Sequence, residues 1–190
     1  MSVASRTSRC WSEVSLSAIG KNIRAIRRLA GGASLYAVIK ADAYGHGVLE
    51  LARLLENAGV DTFCVATLGE AVQLREAGYT RQTILLLGSF YADEVGDLFE
   101  YAVTPTIPDI THLGILSRHA RRKPNPIDAH LKVDTGMNRY GIPFDELTER
   151  AQEIFRTPGV NITALYSHLA ASALPGDQGT LDQIAQFTRA

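Results

Sequence analysis

From residue 34 onward the chain repeats one pattern: a short apolar run, then a longer stretch with helical periodicity. The apolar runs start near Leu35 (LYAVIK), Thr62 (TFCVAT), Thr83 (TILLLG), Ala102 (AVTPTI), Asp128 (DAHLKVD) and Asn161 (NITALYSH). Helical patterns fill 47–58, 68–77, 92–100, 108–119, 144–156 and 180–189. Strands that alternate with helices build βαβ units and a parallel sheet. Steps of about 20 to 33 residues between strand starts favour a (β/α)8 TIM barrel, an α/β fold. An open doubly wound sheet shares the alternation, but no GxGxxG or P-loop stands at a strand–helix turn. Pro105 makes the fourth strand the weakest of the six, because proline cannot donate to a ladder.

A barrel closes with eight units, near ~250 residues. Only six fit into these 190 residues, so the expectation is an incomplete barrel and a chain about two units short. Before the alternation, Ser15 can cap a helix from Leu16 to Ala30 that Gly31-Gly32 ends. Leu16, Ile19, Ile23 and Ile26 give that helix one apolar stripe. Trp11–Val14 is a short extended candidate, and the Ser/Arg-rich residues 1–9 are expected to fray. The domain reading is therefore a tail or strand over 1–14 and a partial barrel over 15–190.

Composition narrows the function classes. Apolar residues make up 46% and charged residues 21%, a globular balance. The net charge of −1 calls for neither nucleic acid nor an anionic membrane. No apolar run reaches the roughly 18 residues of a membrane span. The first ten residues have no apolar core of a secretory signal, so a cytoplasmic protein is expected. Cys10 and Cys64 make neither a disulfide framework nor a CxxC metal pair, and no metal is expected.

In a barrel, chemistry gathers at the C-terminal ends of strands. Three such ends carry it here: Lys40 before ADAYGHG, Lys132 and Asp134 before TGMNR, and Ser167-His168. Strand alternation puts Tyr36, Val38 and Lys40 on one face, His130, Lys132 and Asp134 on one face, and Tyr166 with His168. If the aliphatic faces pack on helices, two lysines, an arginine (Arg139) and a histidine converge in the barrel mouth. Lys40 is then either a nucleophile that forms a Schiff base with a carbonyl or a strand-end lysine reaching solvent. Neutralising a free lysine at pH 7 costs about 4.6 kcal/mol, which burial and cationic neighbours reduce. Gly45 and Gly47 mark a tight turn whose amides could hold an anion. His46 reads as a polar loop residue. Lys132 and Asp134 either serve a site or pair with each other. Arg139 either clamps an anion or forms an exposed salt bridge. On spacing alone His168 reads first as a core histidine, and Tyr36, Tyr140 and Tyr166 as packing.

AVIKADAYGHG at 37–47 resembles the pyridoxal phosphate signature of alanine racemases. LKVDTGMNRYGI at 131–142 and SHLA at 167–170 are similar to that family's second and third blocks, in the family's order. The resemblance runs from Trp11 to the last residue. It implies a fold-type III enzyme: a (β/α)8 barrel, then a C-terminal β-domain, acting as a homodimer on L- and D-alanine with pyridoxal 5'-phosphate. It implies that Lys40 holds the cofactor and is the base on the D-alanine face. It matches Tyr44 to the cofactor phosphate, and Arg139 to the cofactor phenolate oxygen and the substrate carboxylate. His168 matches a histidine in the hydrogen-bond chain near the pyridine nitrogen. Lys132 matches a lysine, carbamylated in some members, that holds the arginine. The family's second base, a tyrosine, belongs to the C-terminal β-domain, which these residues do not include. The 190 residues alone are thus expected to be insoluble or inactive. Two neighbouring readings are a racemase for serine, lysine or several amino acids, and a non-catalytic pyridoxal phosphate carrier. The resemblance implies D-alanine supply for peptidoglycan, and catabolic use fits the residues equally.

Overall fold

The computed structural model describes residues 10–190. In chain order the elements are α1 (Leu16–Leu29), β1 (Tyr36–Val38), α2 (Lys40–Gly45), α3 (Val48–Asn57), β2 (Thr62–Val65) and α4 (Leu68–Glu76). Then follow β3 (Thr83–Leu86), α5 (Val95–Glu100), β4 (Val103–Ile107), α6 (Ile110–Ala120) and β5 (Ile127–Asp134). The last are β6 (Ile142–Pro143), α7 (Phe144–Phe155), β7 (Val160–Tyr166) and α8 (Gln178–Thr188).

All strand pairs are parallel, in the order β1-β2-β3-β4-β5, with β7 beside β5 and the short β6 against the end of β5. Strands follow chain order because each helix returns the chain to the start of the next strand. Among the described residues β1 pairs only with β2 and β7 only with β5, so the barrel is incomplete. The two ladders of β4 meet at Pro105: Val103–Pro105 pair with β3 and Thr106–Ile107 with β5. The proline is thus accommodated inside the sheet, where the sequence made the strand weakest.

One face of every strand packs on the helices. Phe63 and Val65 of β2, Ile84 and Leu86 of β3, and Leu131 and Val133 of β5 are fully buried there. Each such side chain contributes about 1.5–3 kcal/mol of burial. The other face looks into the barrel, and there Tyr36 and Val38 of β1 remain 47% and 42% exposed. Ser15 caps α1 by accepting from the Ala18 N–H. Thr67 and Glu70 form a reciprocal capping box on α4.

Trp11–Val14 has no strand partner among the described residues, as expected of a segment whose partner by resemblance would be the C-terminal β-domain; the Trp11 indole N–H bonds locally to Glu13. Residues 1–9 lie outside the described residues. The helix expected from 92 begins at Val95, because Tyr91–Glu94 closes a turn in which the Glu94 carboxylate accepts from the Tyr91 N–H.

Gly88, just past β3, touches the end of β2. A methyl group there would stand 2.1 Å from the Ala66 carbonyl oxygen. Gly88→Ala is expected to cost about 2 kcal/mol by forcing the two strand ends apart. Urea denaturation checks this, and an unchanged midpoint would contradict it.

Candidate active site

The C-terminal ends of β1, β2, β3, β5 and β7 surround a cleft of about 880 Å³. Lys40, Tyr44, Lys132, Arg139 and His168 all line it. No aspartate or glutamate does. The strand alternation that put Tyr36, Val38 and Lys40 on one face, and His130 with Lys132, therefore describes the cleft wall.

Lys40 stands where β1 gives way to α2, a turn of unusual hand. Ala41, Asp42, Ala43 and Tyr44 all have φ between 52° and 56°, the left-handed helical region. Each such L-residue costs roughly 1–2 kcal/mol. The turn is held from both ends. Glu70 accepts from the Ala41 N–H at 2.7 Å through one oxygen, and from the Ala66 N–H at 2.7 Å and the Thr67 N–H at 3.2 Å through the other. Asp42 accepts from the Val48 N–H at 2.8 Å. Ala43 is buried beneath the turn. The result aims Lys40 Nζ along the cleft, 5.9 Å from the centre of the Tyr44 ring. His46 does not line the cleft; its ring nitrogen Nδ1 lies 2.8 Å from the Ala43 carbonyl and braces the turn.

Lys132 is 3% exposed, yet its ammonium makes no hydrogen bond or ion pair among the described residues. It lies over the rings of Tyr140 and Tyr166, at 5.4 and 6.0 Å. Burial lowers its pKa, Asp134 opposes that shift, and Arg139 adds to it. The Lys132–Asp134 pair that spacing allowed does not form. Asp134 turns into its own loop and accepts from the N–H groups of Gly136 and Asn138. Arg139 is exposed with no ion pair among the described residues, so the salt-bridge alternative is not realised either.

The pKa of His168 is lowered by burial first, then by the positive charges of Arg139, Lys132 and Lys40. That shift registers the convergence of cations electrostatically. His168 is placed by α8: Gln183, buried, donates to the His168 carbonyl and to the Thr135 hydroxyl, and accepts from the Ala170 N–H.

Three tyrosines read as packing belong to the cleft wall. The Tyr166 hydroxyl sits 2.8 Å from that of Thr106, and its pKa is pushed up to about 12, chiefly by burial. Tyr140 donates to the Leu87 carbonyl. Tyr36 leans on the His130 ring, 6.1 Å between centroids. Strand phase marks Tyr36 and Tyr166, four and two residues from a site residue on the same face. Nothing local marks Tyr140 or Gln183, whose contacts span long stretches of chain; the T-x-x-E spacing of Thr67 and Glu70 marks a helix cap but not the reach of Glu70 to Ala41.

Two histidines here titrate below the ordinary ~6.5: His168, and His130, lowered by burial against an opposing Asp128. The unfolded chain then binds more protons than the folded one as pH falls below ~6.5, so stability falls with it. A lower melting temperature at pH 5.5 than at pH 7.5 is expected, with His130→Gln flattening the difference. Equal melting temperatures would contradict this.

Residues 14–190 match the family model described as "Alanine racemase, N-terminal domain". The chain belongs to the alanine racemase family. It is 34% identical over 183 residues to the alanine racemase of Synechocystis sp., covering 96% of this chain and 49% of that protein. It is 38% identical over 160 residues to that of Carboxydothermus hydrogenoformans, covering 84% and 43%. The chain thus spans about half the length of the curated relatives it matches. Among solved structures, Clostridium difficile 630 alanine racemase in complex with cycloserine superposes with a TM-score of 0.90 at 28% identity, over 97% of this chain and 51% of that one. A histidine racemase from Leuconostoc mesenteroides superposes with a TM-score of 0.83 at 27% identity, over 91% and 46%. Within the family fold, the incomplete barrel is the N-terminal TIM-barrel domain.

Proposed function

We propose that the full-length protein carrying this chain is an alanine racemase that interconverts L- and D-alanine with pyridoxal 5'-phosphate. The observation that carries this reading is a family member's cleft in which Lys40, Lys132, Arg139 and His168 converge without one acidic lining residue. That donor set fits the group. Cations suit its phosphate and the substrate carboxylate, and the apolar walls of Val38, Leu85 and Leu87 suit a flat ring. When bound, the cofactor supplies a sink for the negative charge left at Cα.

The chain's own residues do the rest. Lys40 holds the cofactor, and its amine takes or returns the Cα proton on the D-alanine face. Tyr44 bonds the phosphate. Arg139 meets the substrate carboxylate and the phenolate side of the ring. His168, kept neutral at pH 7, belongs to the hydrogen-bond chain near the pyridine nitrogen. The Lys132 ammonium gives up one proton, and the neutral amine then adds CO2 at Nζ and releases a second. This replaces a buried, unpaired cation near Arg139 with an anion that pairs with it. Intact mass spectrometry under CO2-replete conditions tests that modification, and an unmodified Lys132 would refute it. The second base is a tyrosine from outside these 190 residues, delivered across a homodimer.

Among the described residues no helix is long and apolar enough to cross a membrane. The reading places the enzyme in the cytoplasm, supplying D-alanine for peptidoglycan. The deciding experiment measures D-alanine formation by the purified full-length protein, with and without added cofactor, and repeats it over a panel of amino acids. Cofactor-dependent turnover fastest with alanine supports the proposal. Faster turnover of another amino acid supports a second reading, favoured by the histidine racemase likeness: a racemase of the same fold with a different substrate. Cofactor binding with no turnover of any amino acid would make the protein a carrier.

A further inference from the structure

At the rim of the cleft, Ser89, His112 and Asp109 stand in one hydrogen-bonded line. The Ser89 Oγ lies 2.7 Å from His112 Nε2. His112 Nδ1 lies 2.9 and 2.8 Å from the two carboxylate oxygens of Asp109. One tautomer satisfies every contact: Nδ1–H donates to Asp109, and Nε2 accepts from the Ser89 hydroxyl. We infer that Ser89 is an activated nucleophile, with His112 as its general base and Asp109 orienting the base, forming an acyl-transfer site for small carboxylic esters. The inference does not rest on the proposed racemisation, which uses none of these three side chains.

Chain topology puts the three together. Ser89 follows the end of β3, and Asp109 follows the end of the neighbouring β4, so both sit on the functional rim of the sheet. Asp109 is the N-cap of α6 and accepts from the His112 N–H at 2.8 Å. His112, three residues on, is thereby carried back over the cap. Its ring is fixed a second time by Phe90, which is buried and meets it edge-on at 5.3 Å and 89°. Ser89 itself is exposed, as a nucleophile must be, while the His112 side chain is only 22% exposed. Burial alone would raise the Asp109 pKa, but hydrogen bonds and charge from His112 lower it, so the orienting group stays ionised at neutral pH. None of the backbone N–H groups of Gly88, Ser89 and Phe90 is taken by another group among the described residues. Donors for a developing oxyanion are therefore beside the nucleophile.

The balanced step follows from the geometry. Ser89 Oγ bonds to the ester carbonyl carbon while its proton moves to His112 Nε2. The carbon–oxygen bond to the leaving alkoxide then breaks, and that alkoxide takes the proton. Water, deprotonated by the same imidazole, releases the acid and restores the serine. The lysines and Arg139 of the adjoining cleft favour an ester whose acyl part carries negative charge.

The test uses the full-length protein and a short-chain alkyl fluorophosphonate. Attack by Ser89 forms an oxygen–phosphorus bond, expels fluoride and leaves a stable adduct that peptide mass spectrometry locates. The expected result is an adduct on Ser89, lost in Ser89→Ala. His112→Ala should slow labelling about 100-fold, the usual share of a general base, and added imidazole should restore part of the rate. Asp109→Asn keeps an oxygen for the helix cap but removes the charge, and should slow labelling tenfold or more. Circular dichroism and melting confirm that each variant folds; Ser89→Ala, on an exposed loop position, keeps the test valid if the others do not. Absence of a Ser89 adduct, or labelling at the parent rate in folded His112→Ala, would overturn the inference and leave an ordinary helix cap that touches a serine.

Discussion

Lys40→Ala in the full-length protein is expected to lower alanine racemisation by at least about 1,000-fold, or about 4 kcal/mol of transition-state stabilisation. Under the proposed function, one substitution would remove both the amine that holds the cofactor and one of two bases, so the losses would fall on the same step. The fold should survive. Lys40 is half-buried, makes no hydrogen bond with its side chain among the described residues, and leaves the turn behind it anchored by backbone contacts. Near-parent melting temperature with lost activity and lost visible absorbance is therefore the expected combination. A variant within tenfold of parent activity would remove Lys40 from the chemistry, and a collapsed melting temperature would make its role structural.

Glu70→Ala is expected to be the most damaging single change outside the core. Three N–H groups, on Ala41, Ala66 and Thr67, lose their acceptor at once. Hydrogen bonds to a charged group are worth about 1.5–3 kcal/mol each, though not additively, so a net loss near ~3 kcal/mol follows. The strain of the turn is then no longer opposed, and Lys40 loses its aim. Glu70→Gln separates the effects: an amide has one acceptor oxygen, so one side of the bridge must fail while side-chain volume is kept. Hydrogen exchange at the Ala41 and Ala66 amides reads out which side opens. Unchanged protection at both, with parent stability, would show that the bridge contributes nothing.

The sequence carried the architecture because parallel strands and their helices announce themselves by period. Residues 62–65, 83–86 and 127–134 were legible as strands, and the phase of β1 and β5 pointed Lys40 and Lys132 to the same cavity. The short β6 escaped, since two residues make no period. The partners of the site escaped for a different reason. Glu70 meets Ala41 across 29 residues and Gln183 meets Thr135 across 48. Asp134 read as a partner for Lys132 because a strand pattern assigns a face, whereas its carboxylate is captured by the N–H groups of its own loop. The Ser89–His112–Asp109 line went unseen because it joins two strand ends 20 residues apart, with no motif around either.

The left-handed turn at Ala41–Tyr44 reverses the usual rules for which amino acids suit a helical segment. In a right-handed helix glycine costs about 1 kcal/mol relative to alanine; at Ala41, exposed with φ 52°, the preference changes sign. Ala41→Gly or Ala41→Asn should stabilise the protein, while valine or isoleucine should unravel the segment. Any stability engineering that treats residues 40–45 as an ordinary helix would choose its substitutions backwards, in the segment that sets the direction of the Lys40 side chain.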